Sequence, residues 1–328
     1  MKRLLAAGFV LFFLGCGTQD ISSTTDFFRR GLDVILQPEI KDNLYYLASK
    51  ELGGRRTGSA GDKLAAKFIA EKFKEYGLQS GSNADYLQKF SSTQNVVGYF
   101  VGNDPTLKDE VIAIGGHFDH LGTSGSSYYP GADDNASGTV SVVSLARAIS
   151  RVKECIRRTV VIMAFSGEEQ GMDGSGYYVN NPYFPITNTI YMINLDMVGY
   201  LRNGDLSFLG GARSPQVAAA IRSIVSKYPG ITSDITSSSG GGSDHVPFEQ
   251  KKVPAVFVHT GTHANYHKVT DTADKINYDG LTSIIKIAFE MYWSIDMNPK
   301  KPLLLQSLPE DQPNWHLDHG LEIFSRRD

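Results

Sequence analysis

Five short runs of β-branched and apolar residues constrain this chain most: 96–101, 111–115, 159–165, 189–195 and 254–258. Several are apolar at nearly every position instead of alternate ones, the mark of a strand covered on both faces. Between and after them lie stretches of helical spacing, 137–152, 215–227 and 278–295. Buried strands alternating with helices specify a single three-layer α/β domain, with a mostly parallel (mixed) central sheet and helices on both faces. Upstream, Ile40, Leu44, Leu47 and Leu52 recur near helical periodicity, as do Leu64, Phe68, Ile69, Phe73 and Tyr76 after the loop Gly53-Gly54-Arg55-Arg56-Thr57-Gly58. Two further helices are expected there.

Composition sets only outer bounds. With 41% hydrophobic and 20% charged residues the chain has material for a core and lies far from the disordered regime. A formal net charge of -3, with no Lys/Arg run beyond short pairs, excludes a surface built to track phosphates, so no nucleic-acid partner is expected. The sequence carries no signal for an oligomeric state.

At the start, Lys2 and Arg3 precede an almost unbroken apolar stretch over residues 4–14. It is shorter than the roughly 20 residues a membrane-spanning helix needs, so residues 1–15 read as a signal peptide. Cys16 resembles the acylated cysteine of bacterial lipoproteins, although Phe13 and Leu14 stand where the usual box has Leu and then a small residue. The expected setting is outside the cytoplasm, facing periplasm or cell surface, with membrane contact only through a lipid at Cys16. Residues 16–26, polar and Ser/Thr-rich, read as a tether, 27–298 as the folded body, and 299–328 as a C-terminal extension. Only Cys155 then remains, which excludes an internal disulfide.

The groups able to do chemistry follow the strand ends. The run 111–116 leads into His117-Phe118-Asp119-His120, the run 160–167 into Glu168-Glu169, and the run 190–195 into Asp196. In open α/β sheets the carboxyl ends of the strands line the ligand crevice, so groups distant in sequence converge there. Singly, each has a plain alternative: an Asp after a strand serves as a turn residue or helix cap, and a His as a polar loop residue. Adjacent Glu168 and Glu169 beside an apolar strand repel one another unless a positive charge sits nearby, and a metal centre supplies one. Asp133-Asp134-Asn135-Ala136-Ser137-Gly138 opens a helix, and Tyr266-His267 lies in a polar loop after the last strand.

Together with the Gly53–Ser59 loop, Gly240-Gly241-Gly242-Ser243-Asp244-His245-Val246-Pro247-Phe248 and Asp274-Lys275-Ile276, these motifs resemble the two-zinc peptidase family that includes secreted bacterial leucyl aminopeptidases and glutamate carboxypeptidase II, and more distantly glutaminyl cyclase. The resemblance spans most of the body, in the family's motif order. It implies a 27–298 catalytic domain holding two Zn2+ ions, His117 and Asp196 on one, Glu169 and His267 on the other, and Asp134 bridging both. Asp134 is chosen over Asp133 because the family's bridging carboxylate lies three residues before the Ser that opens the helix, and the peptide bond after it is expected to be cis. The resemblance further implies Glu168 as general base and Asp119 as the partner of His117's free ring nitrogen. Tyr266 is a candidate hydrogen-bond donor to the developing oxyanion or, equally, a packing residue. His120 receives no role and reads as a polar loop residue.

The implied activity is removal of N-terminal residues from peptides. Single-zinc glutaminyl cyclase, a carboxypeptidase or dipeptidase, and a metal-free binding scaffold are the alternatives. The filled ligand positions speak against the first and last, and only Trp293 and Trp315 are available for a cyclase's aromatic pocket. Ser243-Asp244-His245 does not form a serine triad on this reading, since adjacent positions rarely reach triad geometry and no G-x-S-x-G elbow occurs; the resemblance places this segment in the pocket wall.

Overall fold

A computed structural model describes residues 21–81 and 85–304. The chain enters through three helices, α1 (Ile21–Asp33), α2 (Gln37–Leu47) and α3 (Ala60–Glu75), and then two short edge strands, β1 (Gln79–Ser80) and β2 (Leu87–Phe90). Strands β3 (Thr93–Phe100) and β4 (Val111–His117) follow, then a small hairpin of β5 (Thr123–Ser124) and β6 (Ser127–Tyr128), and helix α4 (Gly138–Ser150). Next come β7 (Thr159–Phe165), α5 (Asp173–Asn180), β8 (Thr189–Leu195), β9 (Asp205–Leu209) and α6 (Pro215–Val225). The body closes with β10 (Thr232–Ile235), α7 (His245–Gln250), β11 (Ala255–His259) and α8 (Tyr278–Met297).

The main sheet runs β1-β3-β7-β4-β8-β11-β9-β10, with β2 also paired to β3. Its centre, β7-β4-β8-β11, is parallel, while β3 and β9 join antiparallel to their inner neighbours. Residues alternate between faces along each strand. Ile112, Ile114, Val160, Ile162 and Ile193 therefore pack in a large core that also holds Val140, Val143, Ile284 and Tyr292 from α4 and α8. Val111, Ala113, Val161, Met163 and Met192 pack on the other face with Tyr178 of α5 and Phe248 of α7. Both faces are dry, which is why the strands read as unbroken apolar runs.

Strand order places the site. From β4 the chain moves through α4 to β7 on one side, then returns past β4 to β8 on the other. The crevice at the carboxyl ends of strands beside such a reversal is where α/β folds bind ligands. Close approach there needs glycine: a Cβ on Gly116 would lie 2.4 Å, and on Gly138 2.2 Å, from the Leu195 carbonyl oxygen.

Two expected boundaries shift. Helix α1 begins at Ile21, inside the 16–26 segment read as a tether. The Ser/Thr composition of its first turn conceals the apolar face further along, where Phe28 stacks on Phe289 (centroids 5.9 Å apart, 25° between planes) and Phe27 and Leu32 pack against the core. Trp293 belongs to this same packing, 5.9 Å from Phe28, and so is not free to line a ligand pocket. The helix predicted through Leu52 ends at Leu47, and Lys50–Leu52 forms a separate 3-10 turn. Among the described residues no helix is long and apolar enough to cross a membrane. Residues 1–15, expected to be a signal peptide, together with Cys16, Trp315 and residues 305–328 of the expected 299–328 extension, lie outside the described residues.

Candidate metal centre

Four of the five expected ligands follow the carboxyl ends of four different strands of the main sheet, and Asp134 enters at the start of α4. His117 is the last residue of β4, and Asp196 follows β8 directly. Glu168 and Glu169 open the turn after β7, and His267 lies in the loop after β11. Asp134 sits in the irregular turn Ala132–Ser137 that enters α4, with φ −106° and ψ 95°, and the Asp134–Asn135 peptide bond is cis. The fold brings all of these side chains together. His117 Nε2 is 3.4 Å from Asp196 Oδ1 and 3.5 Å from Asp134 Oδ1. His267 Nε2 is 3.0 Å from Asp134 Oδ2 and 3.3 Å from Glu169 Oε2.

These separations can be tested against zinc. Zn–N and Zn–O bonds of about 2.0–2.1 Å in a tetrahedral site put neighbouring donor atoms roughly 3.3 Å apart. Both groups match that spacing. Asp134 uses a different oxygen in each, and neither Asp134 Oδ2 nor Asp196 Oδ1, both buried, accepts a well-aligned hydrogen bond. Imidazole and carboxylate donors suit zinc, so the residues fit two such ions. Two clusters able to hold a metal emerge from geometry alone, His117/Glu168/Asp196 and His120/Asp134/Glu169. Glu168 Oε2 stands 3.9 Å from His117 Nε2, wider than the ligand spacing, which separates it from the donors proper.

The electrostatics express a shortage of positive charge. Burial pushes the Glu168 carboxyl well above the usual carboxylate range; His117 pulls it down, and Asp196, Asp244 and Glu169 push it up again. Burial, and then the charge of Glu169, also raises Asp134. In the other direction, burial opposes ionisation of His117 but Asp196 and Glu168 carry it well above its ordinary value.

Surrounding groups fix the donors. The nearest acceptor to His117 Nδ1 is the main-chain oxygen of Asp119, at 3.2 Å, with the Asp119 carboxylate at 3.6 Å. That carboxylate also accepts bonds from the Thr57 hydroxyl (2.7 Å) and the Glu168 N–H (3.2 Å), which ties the β4 and β7 loops together. Ser243 donates to Asp196 Oδ2 (2.7 Å) and accepts from Asn194 (2.8 Å). It is thus engaged with a metal-site carboxylate, while His245 stacks on Phe257, and no triad forms. Asp271 accepts the N–H groups of Asp133 and Asp134, and His263 lies 3.0 Å from Asp133 Oδ2, which fastens the His267 loop to the Asp134 turn.

Behind the centre, Arg55 is wholly buried and donates to four carbonyl oxygens: Leu47, Phe118, Pro130 and Gly131. Phe118 lies between His117 and Asp119, and Gly131 three residues before Asp134, so one guanidinium spans two ligand-bearing loops. Sequence reasoning found the Arg55 loop only as a motif, put Ser243 in the pocket wall without its Asp196 contact, and gave no role to Asp271 or His263. Their partners lie 47 to 138 residues away along the chain, and no local pattern encodes them.

One expectation changes at this point. His120, read as a polar loop residue, is buried, with Nδ1 2.8 Å from Glu169 Oε1. The loop folds inward because His120 N–H bonds to the Arg55 carbonyl (3.2 Å) and Gly131, lacking a Cβ, admits the ring. Tyr266 lies flat on His267, centroids 3.9 Å apart, so its ring at the least holds that imidazole in place.

A family model described as Peptidase family M28 matches residues 95–292, more than half of the chain. Among curated relatives, leupeptin-inactivating enzyme 1 of Streptomyces exfoliatus is 28% identical over 234 residues, covering 70% of this chain and 49% of that protein. The chain therefore spans about half the length of that relative. Among solved structures, the LapA aminopeptidase of Legionella pneumophila superposes with a TM-score of 0.70 at 20% identity, over 92% of this chain and 81% of that one. A glutaminyl cyclase of Bacteroides thetaiotaomicron superposes with a TM-score of 0.62 at 17% identity, over 78% and 97%. At such identities the two structures establish the shared fold.

Proposed function

Since the chain belongs to peptidase family M28, we propose that it hydrolyses peptide bonds at a two-zinc centre and releases N-terminal amino acids from peptides. The observation that carries this reading is Asp134, whose Oδ1 faces the His117/Asp196 pair while Oδ2 faces the Glu169/His267 pair. The name of one similar solved structure, an aminopeptidase, agrees with peptide substrates.

His117 and Asp196 would hold one ion, Glu169 and His267 the other, and Asp134 both. Zinc bound there acts as a Lewis acid and makes water a competent nucleophile near neutral pH. Glu168 takes the proton from the attacking water and passes it to the departing amine nitrogen. Its main-chain N–H is fixed by Asp119, which keeps the carboxylate facing the donors. Burial holds its carboxyl well above the usual carboxylate range, and cations held by the neighbouring donors would lower it. We further propose Tyr266, whose ring stacks on His267, as a hydrogen-bond donor to the developing oxyanion. We further propose export by the N-terminal signal and a lipid anchor at Cys16.

The test uses leucyl p-nitroanilide and its N-acetylated counterpart. Hydrolysis of the free-amine substrate that a chelator abolishes and zinc restores is expected, with the acetylated form inert. Equal turnover of both substrates, or activity that survives metal removal, refutes the reading. Cyclisation of N-terminal Gln at one ion per chain would point to the glutaminyl cyclase alternative.

A further inference from the structure

His120 stands inside the second donor group although the family resemblance gives it no role there. Its Nδ1 lies 2.8 Å from Glu169 Oε1 and 3.8 Å from Asp134 Oδ2. Its ring is buried and meets the His267 ring edge-on, with centroids 5.7 Å apart and 66° between planes. Nε2 makes no hydrogen bond. Two roles are open to such a side chain, a direct metal ligand or a group that holds a ligand, and interatomic spacing separates them. Donor atoms sharing one tetrahedral zinc sit roughly 3.3 Å apart. Glu169 Oε2 meets that spacing with His267 Nε2, at 3.3 Å. The His120–Glu169 contact is shorter and falls at hydrogen-bond length. A carboxylate oxygen only accepts, so Nδ1 carries the proton and donates.

We propose that His120 is a positioning residue: its Nδ1–H holds Glu169 Oε1, so that Glu169 presents Oε2 alone to the second ion. The inference rests on the two-ion reading above. One-oxygen ligation leaves a coordination position open on that ion, which a catalytic site requires. The main-chain bond from His120 to Arg55 and the close approach of Gly131 fix the ring in this attitude, so the constraint is built into the fold. Outer partners of this kind typically set metal affinity by 10–100-fold.

The experiment compares the wild type with His120→Leu and His120→Asn, whose Nδ2 can occupy the place of the imidazole Nδ1. Zinc affinity is read by chelator competition, and the visible spectrum is recorded after cobalt substitution. In His120→Leu one ion should bind as in the wild type and the other about 10–100-fold more weakly. His120→Asn should recover most of that affinity, with a cobalt spectrum like the wild type's, because no ligand has changed. If His120→Leu does not fold, the Asn variant decides alone. Loss of the second ion in His120→Asn with an altered cobalt spectrum would make His120 a ligand and overturn the proposal. Unchanged affinity for both ions in His120→Leu would overturn it as well. A wild type that binds a single ion removes the two-ion reading and this inference together, and that result is obtained before any substitution is made.

Discussion

Glu168→Gln is expected to bind two zinc ions per chain as the wild type does and to lose turnover by about 10²–10⁴-fold, the usual contribution of a general acid–base group. The amide is nearly isosteric, so the β7 turn and its main-chain bond from Glu168 to Asp119 are retained. It cannot, however, accept the proton of the attacking water. Metal retention is part of the prediction because the 3.9 Å between Glu168 Oε2 and His117 Nε2 exceeds the spacing of two donors on one ion. Zinc content and kcat measured on one preparation check both halves. Loss of an ion would move Glu168 into the ligand set, and retained activity would remove it from catalysis.

Arg55→Met is expected to destabilise the protein by about 3–5 kcal/mol, the cost typical of breaking a buried charged arrangement. The reasoning starts from burial: the guanidinium is fully enclosed, and burial lowers its pKa only to about 10, so it remains a cation at neutral pH. Four main-chain carbonyls satisfy its donors, and Asp134, Asp271, Asp119 and Glu169 supply the surrounding negative field. A methionine fills the volume but takes the guanidinium donor from each of those carbonyls, of which Gly131's keeps a main-chain partner in the Ala136 N–H, and leaves the carboxylates without a counter-charge. Urea titration of the zinc-loaded protein measures the effect. A loss below about 1 kcal/mol, the scale of an ordinary exposed pair, would show that the clamp is dispensable.

How much of this could be read from residues alone depends on the range of the interaction. Strands β4, β7 and β8 were legible because both faces are buried, which writes an unbroken apolar run into each. Helices α4 and α8 carry long periodic faces and were equally clear. Strand β10, with every residue partly or fully exposed, and the short helices α5 and α7 lack such patterns and were missed. All the expected metal-site residues but Asp134 converge because they follow strand ends, which a parallel sheet brings together by topology, and Asp134 joins them from the turn that opens α4. What escaped was the scaffolding around them. Arg55 reaches carbonyls 8 to 76 residues away, and main-chain acceptors have no sequence signature. His120 has the same polar neighbours in the sequence that an exposed loop residue would have; only the inward turn of the loop beneath Arg55 separates the two cases.

Zinc-edge anomalous diffraction from crystals of the zinc-loaded protein tests the account most directly. Two peaks about 3.5–4 Å apart are predicted, the separation usual in two-metal sites, with one Asp134 oxygen on each ion. A single peak, or two ions of which Asp134 touches only one, would contradict it.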